Sequence, residues 1–456
     1  MSFLRVWFGP TAVHRRGTAC LVACVTAWLA AADAAAADWT HWRGATRDGR
    51  TAEASGWEQG GWPPREAWRV DVGEGASSPL VVGPHVYVLG WRDGEDRLAC
   101  LDARTGRELW AAASRAPKYG RVATGDESFY SGPSSTPEYD AATGLIYTLG
   151  IDGELQCFDT ARAGARIWGV NLYDRYQVGR RPKAGRSGLR DFGYTSSPLL
   201  LGDQLVVEVG SAAGTLVAFD SRTGAERWRS EATDPAGHTG GPVPIVVEGV
   251  PCVAVHHFHG LLVARADPAA PDVGRTVATW PWRTDFANNI ATPAVHGSAV
   301  VMTSAYNHGK IARLDVTLRG ATLAWEQPFA SKVCSPVIHD GCVYWAWRQV
   351  HCLDFATGKP RWKGGRLSDP GSCVIAGDGR MLTWTDAGDL RLVETAAGAA
   401  DAYRELAAVK GVTAADAWPH VVLANGRIFC RDRSGTLVCL ELMGAAAPGA
   451  DDALRR

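Results

Sequence analysis

Ser77-Ser78-Pro79-Leu80-Val81-Val82, His85-Val86-Tyr87-Val88-Leu89, Leu98-Ala99-Cys100-Leu101-Asp102 and Arg104-Thr105-Gly106-Arg107-Glu108-Leu109-Trp110 follow one another in one stretch, and their order decides the fold. The runs are short and rich in β-branched and aromatic residues, with Gly, Asp and Thr-Gly turn signals between them. Together they make one antiparallel unit of four strands. The unit recurs as Ser196-Ser197-Pro198-Leu199, Gln204-Leu205-Val206-Val207, Leu216-Val217-Ala218-Phe219-Asp220 and Arg222-Thr223-Gly224-Ala225-Glu226-Arg227-Trp228. Copies begin near Ser77, Ser134, Ser196, Gly240, Ala291, Cys334, Gly371 and Ala417. Four-strand units at such spacing mark the blades of a propeller, and these starts predict an all-β, eight-bladed β-propeller.

The chain ends support closure of the ring. The last unit stops at Leu437-Val438-Cys439-Leu440-Glu441-Leu442, its third strand, while a strand ending in the repeat's Trp stands alone at Glu66-Ala67-Trp68-Arg69-Val70. An N-terminal strand that completes the last blade would remove two open sheet edges. The propeller is therefore expected over 66–443, after an N-terminal extension at 38–65 and before an Ala/Gly/Pro-rich flexible tail at 444–456.

Many of the 19 tryptophans have an address in the repeat. Trp68, Trp110, Trp168, Trp228, Trp325 and Trp362 occupy the outer-strand position, and Trp280 or Trp282 is expected to fill it in the fourth unit. Rings of this size bury ~150–250 Å² each, so packing of blade on blade explains them. Cys100, Cys157, Cys352 and Cys439 share another slot, which Ala218 fills in the third unit. That slot asks for a small buried residue and not for thiol chemistry.

Residues 1–37 read as a processing signal. Arg5, Arg15 and Arg16 precede a mostly apolar run from Gly17 to Ala32, and Ala34-Ala35-Ala36-Ala37 offers an A-x-A-like cleavage site. The run is short for a spanning helix, which needs about 20 apolar residues, so no transmembrane span is expected. Leu21-Val22-Ala23-Cys24 is a lipoprotein-like alternative, and Arg15-Arg16 a twin-arginine one. The expected location is exported, periplasmic or secreted. Eleven cysteines, less Cys20 and Cys24 of the leader, leave nine, an odd number that cannot all pair internally. A formal net charge of −1 with no basic tail gives no field for nucleic acid.

Asp102-x-x-Thr105-Gly106-x-Glu108-x-Trp110 and its copies resemble the repeat of the quinoprotein (PQQ-repeat) dehydrogenases. The same repeat is shared by the β-barrel assembly lipoprotein of Gram-negative outer membranes, which is not an enzyme. Asp38-Trp39-Thr40-His41-Trp42-Arg43-Gly44 with Arg47-Asp48-Gly49 resembles exported PQQ-like propellers of planctomycete-type bacteria. The resemblance implies the fold over about Asp38 to Leu442. For a dehydrogenase it further implies a PQQ cofactor with calcium and an adjacent-cysteine disulfide. No Cys-Cys pair is present, and no catalytic Asp matches that pattern.

Candidate binding residues lie on one face of the ring, where links between blades and the turns between second and third strands meet. The Ala111–Gly132 link carries Tyr119 and Arg121. The Gly169–Thr195 link carries Arg180, Arg181, Lys183 and Arg186 with Tyr194, a composition suited to an anionic or glycan-like ligand or simply to a solvated insertion. His238 and the alternating His257 and His259 could form a metal pair, although no third ligand follows nearby, so no metal site is assigned. Asn288, Asn289, Tyr306, Asn307, Trp347 and Arg348 add polar and aromatic groups around the same mouth. On the opposite face the short Thr-Gly turns are expected to leave little room for a pocket.

The expected function is non-catalytic: an exported propeller that offers the long-loop face to an envelope protein, a polymer or a small ligand. The alternatives are a PQQ-dependent alcohol or polyol dehydrogenase using the same face, and a lyase or hydrolase with a histidine-bound metal.

Overall fold

The computed structural model describes residues 37–117, 132–179, 193–284, 288–306, 308–367, 369, 371–385 and 388–443. Among these residues the strands form eight four-stranded antiparallel sheets, the blades of a propeller. Blade 1 runs outward through Leu80–Val82, His85–Arg92, Glu95–Asp102 and Glu108–Arg115. Blade 8 takes Val422–Ala424, Arg427–Arg431 and Thr436–Glu441 from the end of the described chain and Arg65–Asp71 from its beginning, with Trp68 opposite Cys439. The ring closes as the orphan strand predicts.

Two recurring devices join the blades. The first explains the Asp-x-x-Thr-Gly…Trp spacing. Asp102 Oδ1 accepts from the backbone N–H groups of Arg104 and Thr105 (3.0 and 2.8 Å) and from the Thr105 hydroxyl, which brings Gly106 to φ +70°. The Trp68 ring of blade 8 lies flat on that glycine, so that a Cβ there would come within 2.7 Å of it, and its Nε1 donates to Ala103 O at 3.0 Å. Trp110 on Gly164, Trp168 on Gly224 and Trp325 on Gly358 repeat the clasp. Each of these tryptophans therefore belongs with the glycine of the third-to-fourth-strand turn of the next blade. Behind the rings, Cys100, Cys157, Ala218, Cys352 and Cys439 stand directly opposite Trp110, Trp168, Trp228, Trp362 and Trp68, which is why that slot is small. The nine cysteines from Cys100 to Cys439 are all buried free thiols.

The fourth blade corrects the sequence reading. Its Trp-equivalent position, opposite Val263 at the β-bulge, is Ala278; Trp280 pairs with Leu261, and Trp282 lies beyond the strand end beside His308. The next blade matches this, since its third and fourth strands join through Thr317-Leu318-Arg319-Gly320 with no Thr-Gly turn to cover. Blade 4 also lacks the turn, so Trp228 of blade 3 donates to Gln204 Oε1 (2.6 Å) in its own blade. Gln204 Nε2 completes the link to Ala266 O (2.8 Å).

The second device is a girdle of hydrogen bonds made by the Ser/Thr-Pro residues around the axis. His420 N donates to Ser78 Oγ, Ser78 N to Thr136 Oγ1, Thr136 N to Ser197 Oγ, and Thr292 N to Ser335 Oγ, at 2.7–3.0 Å. Arg431, fully buried, ties the closing seam by donating to Ser77 O, Leu89 O and Gly73 O. Backbone groups exposed at blade edges thus find partners in the neighbouring blade.

Residues 37–55 form a plug on the axis. Trp39 bridges Val81 of blade 1, Thr40 O accepts from Tyr139 of blade 2, and Arg47 donates to Leu200 O of blade 3. Trp42 Nε1 reaches Thr292 Oγ1 of blade 5 (2.9 Å), Arg43 donates to Pro336 O of blade 6, and Gly49 O accepts from Ile375 of blade 7. Arg43 is buried with its charge, and Arg47 and His41 converge on buried Glu138. The Trp-x-x-Trp-Arg-Gly…Arg-Asp-Gly motif is the chemistry of this plug.

Candidate functional site

The chain enters each innermost strand from one end of the axis, and the residues just before those strands wall an axial cavity of about 280 Å³. Ala76, Ser134, Thr195, Gly240, Ile290 and Val333 come from the successive approaches to blades 1–6, and Trp42 of the plug forms the floor. The cavity is a blind funnel rather than a through-channel. Its polar groups include His238, Asn288, Thr239 and Tyr306, with Lys332 and Arg433 as its cations. Lys332 Nζ is 2.9 Å from Asp369 Oδ2 and 6.0 Å from the Tyr306 ring centroid. Arg433 stacks its guanidinium 4.7 Å from the Trp418 ring centroid and lies 3.7 Å from Asp416. Both cations are thus balanced by acids outside the wall. No Asp or Glu lines the cavity among the described residues.

Three of the sequence candidates meet here: His238, Asn288 and Tyr306. His238 Nδ1 lies 2.6 Å from Asn288 Oδ1, which fixes the ring by a side-chain hydrogen bond in which Nδ1 carries the proton. The others have structural work. Tyr194 is buried against Tyr173 and donates to Val209 O at 2.9 Å. Asn289 is buried and donates to His257 O at 2.7 Å. Trp347 Nε1 donates to Asp369 Oδ1 at 2.9 Å, with the Arg348 guanidinium 4.5 Å from its ring centroid. Tyr119, Arg121, Arg180, Arg181, Lys183, Arg186 and Asn307 lie outside the described residues.

The histidine pair is not arranged as a metal site. Asp234 lies between the two, 2.6 Å from His259 Nδ1 and 4.0 Å from His257 Nδ1. Arg283 Nη2 is 2.8 Å from His259 Nε2, and since arginine only donates, that nitrogen accepts and Nδ1 carries the proton to Asp234. The lone pair that His259 would offer a metal is thus committed to Arg283. Burial pushes His257 down to about 4 and His256 to about 3, so both are neutral at pH 7. Among the described residues no group of three or more His, Cys, Asp and Glu side chains is placed to hold a metal ion.

Opposite the cavity, the expectation of a face without room needs correction. A groove of about 660 Å³ runs between blades 3, 4 and 5, walled by Leu201, Pro244, Val246 and Pro251. It opens because blade 4 replaces the tight Thr-Gly turn with the longer Ala266–Arg275 connection and lengthens its innermost strand to Val243–Val247. It is shallow and apolar, and its charged lining residues, Asp203 and Asp267, are engaged by Arg227 and by the backbone of Ala269.

Missed by sequence reasoning were Trp42, Trp418, Lys332, Arg433 and Thr239. A signal existed for most of them. In the approaches to the innermost strands, Lys332, Thr239 and Trp418 stand shortly before Ser335-Pro336, Gly241-Pro242 and the equivalent His420-Val421.

Comparison with known proteins gives one family and two kinds of relative. The family described as outer membrane protein assembly factor BamB matches residues 63–364. The alcohol dehydrogenase (quinone) dehydrogenase subunit of Komagataeibacter europaeus is 27% identical over 173 residues, 36% of this chain and 21% of that protein. Outer membrane protein assembly factor BamB of Burkholderia pseudomallei is 24% identical over 167 residues, 36% of this chain and 33% of that protein. The matches thus span a fifth to a third of those relatives' length. Among solved structures, BamB from Moraxella catarrhalis superimposes with a TM-score of 0.56 at 14% identity, covering 83% of this chain and 97% of that one. Quinohemoprotein alcohol dehydrogenase from Comamonas testosteroni does so with a TM-score of 0.59 at 14% identity, covering 91% and 82%. At such identity the likeness is one of fold.

Proposed function

The chain belongs to the PQQ-repeat propeller family described as outer membrane protein assembly factor BamB, and from that premise we propose that it is an exported, non-catalytic binding protein of the cell envelope whose blind axial cavity takes the ligand. The observation that carries this reading is the character of the cavity wall. A funnel floored by Trp42, lined by hydroxyl and amide groups and rimmed by ion-paired Lys332 and Arg433, is equipped to grip a small ligand or a protruding segment of a partner. Aromatic surface at Trp42, Tyr306 and Trp418 supplies contact area, and the hydrogen-bonding groups supply orientation. No helix among the described residues is long and apolar enough to cross a membrane.

The dehydrogenase alternative draws on the quinone-dependent relatives. Lys332 and Arg433 could face quinone carboxylates. Calcium asks for six to eight oxygen ligands with carboxylates among them, and the described wall offers none. The calcium–quinone pair therefore does not fit the described residues.

A photo-activatable amino acid in place of Tyr306, in cells that export the protein, tests the reading against the same residue in place of Thr223 on the opposite face. Discrete adducts at position 306 and none at 223 are expected. Adducts at 223 alone would move the working surface to the other side. The protein incubated with PQQ and Ca²⁺ and freed of unbound ligand should show no quinone absorption; a stoichiometric chromophore would make the dehydrogenase reading the correct one.

A further inference from the structure

Glu53 is a buried carboxylate, 5% exposed, whose recorded partners are all backbone N–H groups. Oε1 accepts from Asn425 N at 3.0 Å and Oε2 from Gly426 N at 3.2 Å, on the tight Asn-Gly turn of blade 8, where φ is +51° and +70°. Among the described residues no lysine, arginine or histidine forms an ion pair with it. The remaining donor is the backbone nitrogen of Ala37, 2.5 Å from Oε1. Next to it, Asp38 Oδ1 accepts from Gly83 N of blade 1 (2.8 Å) and from Asn425 Nδ2 of blade 8 (3.1 Å). Ala37 and Asp38 thus lie across the seam where the last blade meets the first. An uncompensated buried carboxylate is costly, and a cation at the Ala37 nitrogen would compensate it.

We propose that leader cleavage falls between Ala36 and Ala37 and that the α-ammonium group it frees becomes the ion-pair partner of Glu53, so that processing completes the closure of the ring. Ala34-Ala35-Ala36 places small residues one and three positions before that bond, as a leader peptidase requires. Hydrolysis consumes one water: its hydroxyl goes to the carbonyl carbon of Ala36, which leaves with the leader as a carboxylate. The nitrogen of Ala37 takes up protons to become the ammonium. Cleavage one residue later, at the end of the 1–37 segment expected from sequence, would delete the atom that Glu53 binds. The inference rests on the export reading above and refines it to one bond and one partner.

An α-amine ordinarily titrates near ~8. Pairing with Glu53 raises that value in the folded protein. The stabilisation is then fully present below about pH 8 and disappears as pH rises through the raised value.

The test uses the full chain expressed with its own leader in an exporting bacterial host. Intact mass and N-terminal sequencing of the envelope fraction should give a chain that starts at Ala37. A start at Asp38 or beyond overturns the inference while export stands, whereas retention of residues 1–36 or an acylated Cys24 overturns the processing reading as well. A second pair of proteins carries Gly-Ser inserted after Ala36, which turns the ammonium into an amide, with Glu53 or with Glu53→Gln. The insertion should lower the thermal midpoint by about 2–5 °C with Glu53, and hardly at all in Glu53→Gln. That difference should vanish well above pH 8. Equal shifts in the two backgrounds at neutral pH would overturn the ion pair.

Discussion

Trp68→Ala is the sharpest test of how the ring is held shut. Trp68 is 8% exposed, lies on Gly106 of the neighbouring blade and donates to Ala103 O. Its ring removes ~150–250 Å² from water, and at ~25 cal/mol per Å² that burial contributes roughly 4–6 kcal/mol. Truncations of large buried aromatics cost about 3–5 kcal/mol, so about 4 kcal/mol is expected here. With an unfolding entropy of ~2.1 cal/mol/K per residue over about 380 residues, the thermal midpoint should fall by about 5 °C. Gly106→Ala has two costs of its own: φ +70° is unfavourable for alanine, and its Cβ would meet the Trp68 ring at 2.7 Å. In the Trp68→Ala background the second cost disappears. The double-mutant cycle should therefore show a coupling of about 1–2 kcal/mol, measured from urea unfolding followed by tryptophan emission. Trp280→Ala supplies the control, because that residue has no Thr-Gly turn beneath it and should cost under about 1 kcal/mol. Equal losses for Trp68→Ala and Trp280→Ala, or additive effects of Trp68→Ala and Gly106→Ala, would refute the clasp.

Two further outcomes are expected. Arg431→Met removes the strut that serves Ser77 O, Leu89 O and Gly73 O, so about 2–4 kcal/mol of stability should be lost, with faster amide exchange at the blade 8–blade 1 seam as the local readout. Burial, then the charge of Asp152, raises the Asp96 carboxyl to about 7, so the folded protein binds a proton that the unfolded chain releases near pH 4. Stability should accordingly fall as pH rises from about 4 to about 7 and then level off. Asp96→Asn should remove that part of the slope and be the more stable protein at pH 8, by about 1–3 kcal/mol in denaturant titrations; an unchanged slope would place the proton elsewhere.

The ring was legible because its information is local and repeated. Four runs of β-rich sequence, a Thr-Gly turn and a terminal Trp recur with enough fidelity to count blades, and the orphan strand around Trp68 announced the closure. What the repeat could not say is which residue each conserved slot touches, because the Trp and the glycine it covers belong to different copies. That is why the fourth unit was misread. Spacing within one copy offered Trp280 and Trp282, whereas the strand register puts Ala278 in the slot, and the following copy, joined through Thr317-Leu318-Arg319-Gly320, presents no Thr-Gly turn to cover. The axial cavity escaped for the complementary reason. Long loops and histidines drew the search outward, yet the wall is built largely where the copies diverge, in the approaches to the innermost strands. There, side chains are released from the packing that fixes the rest of the blade. Lys332 and Trp418 were visible as departures from the repeat at those positions. Trp42 was not, since the plug occurs once and its Nε1 finds Thr292 across 250 residues of chain. A propeller can keep its blades nearly uniform and place individuality in two places, the approaches to the innermost strands and whatever fills the axis. In this chain the two meet at one cavity, so variation in binding should be sought among Trp42, Lys332, Tyr306 and Trp418 before the blades themselves.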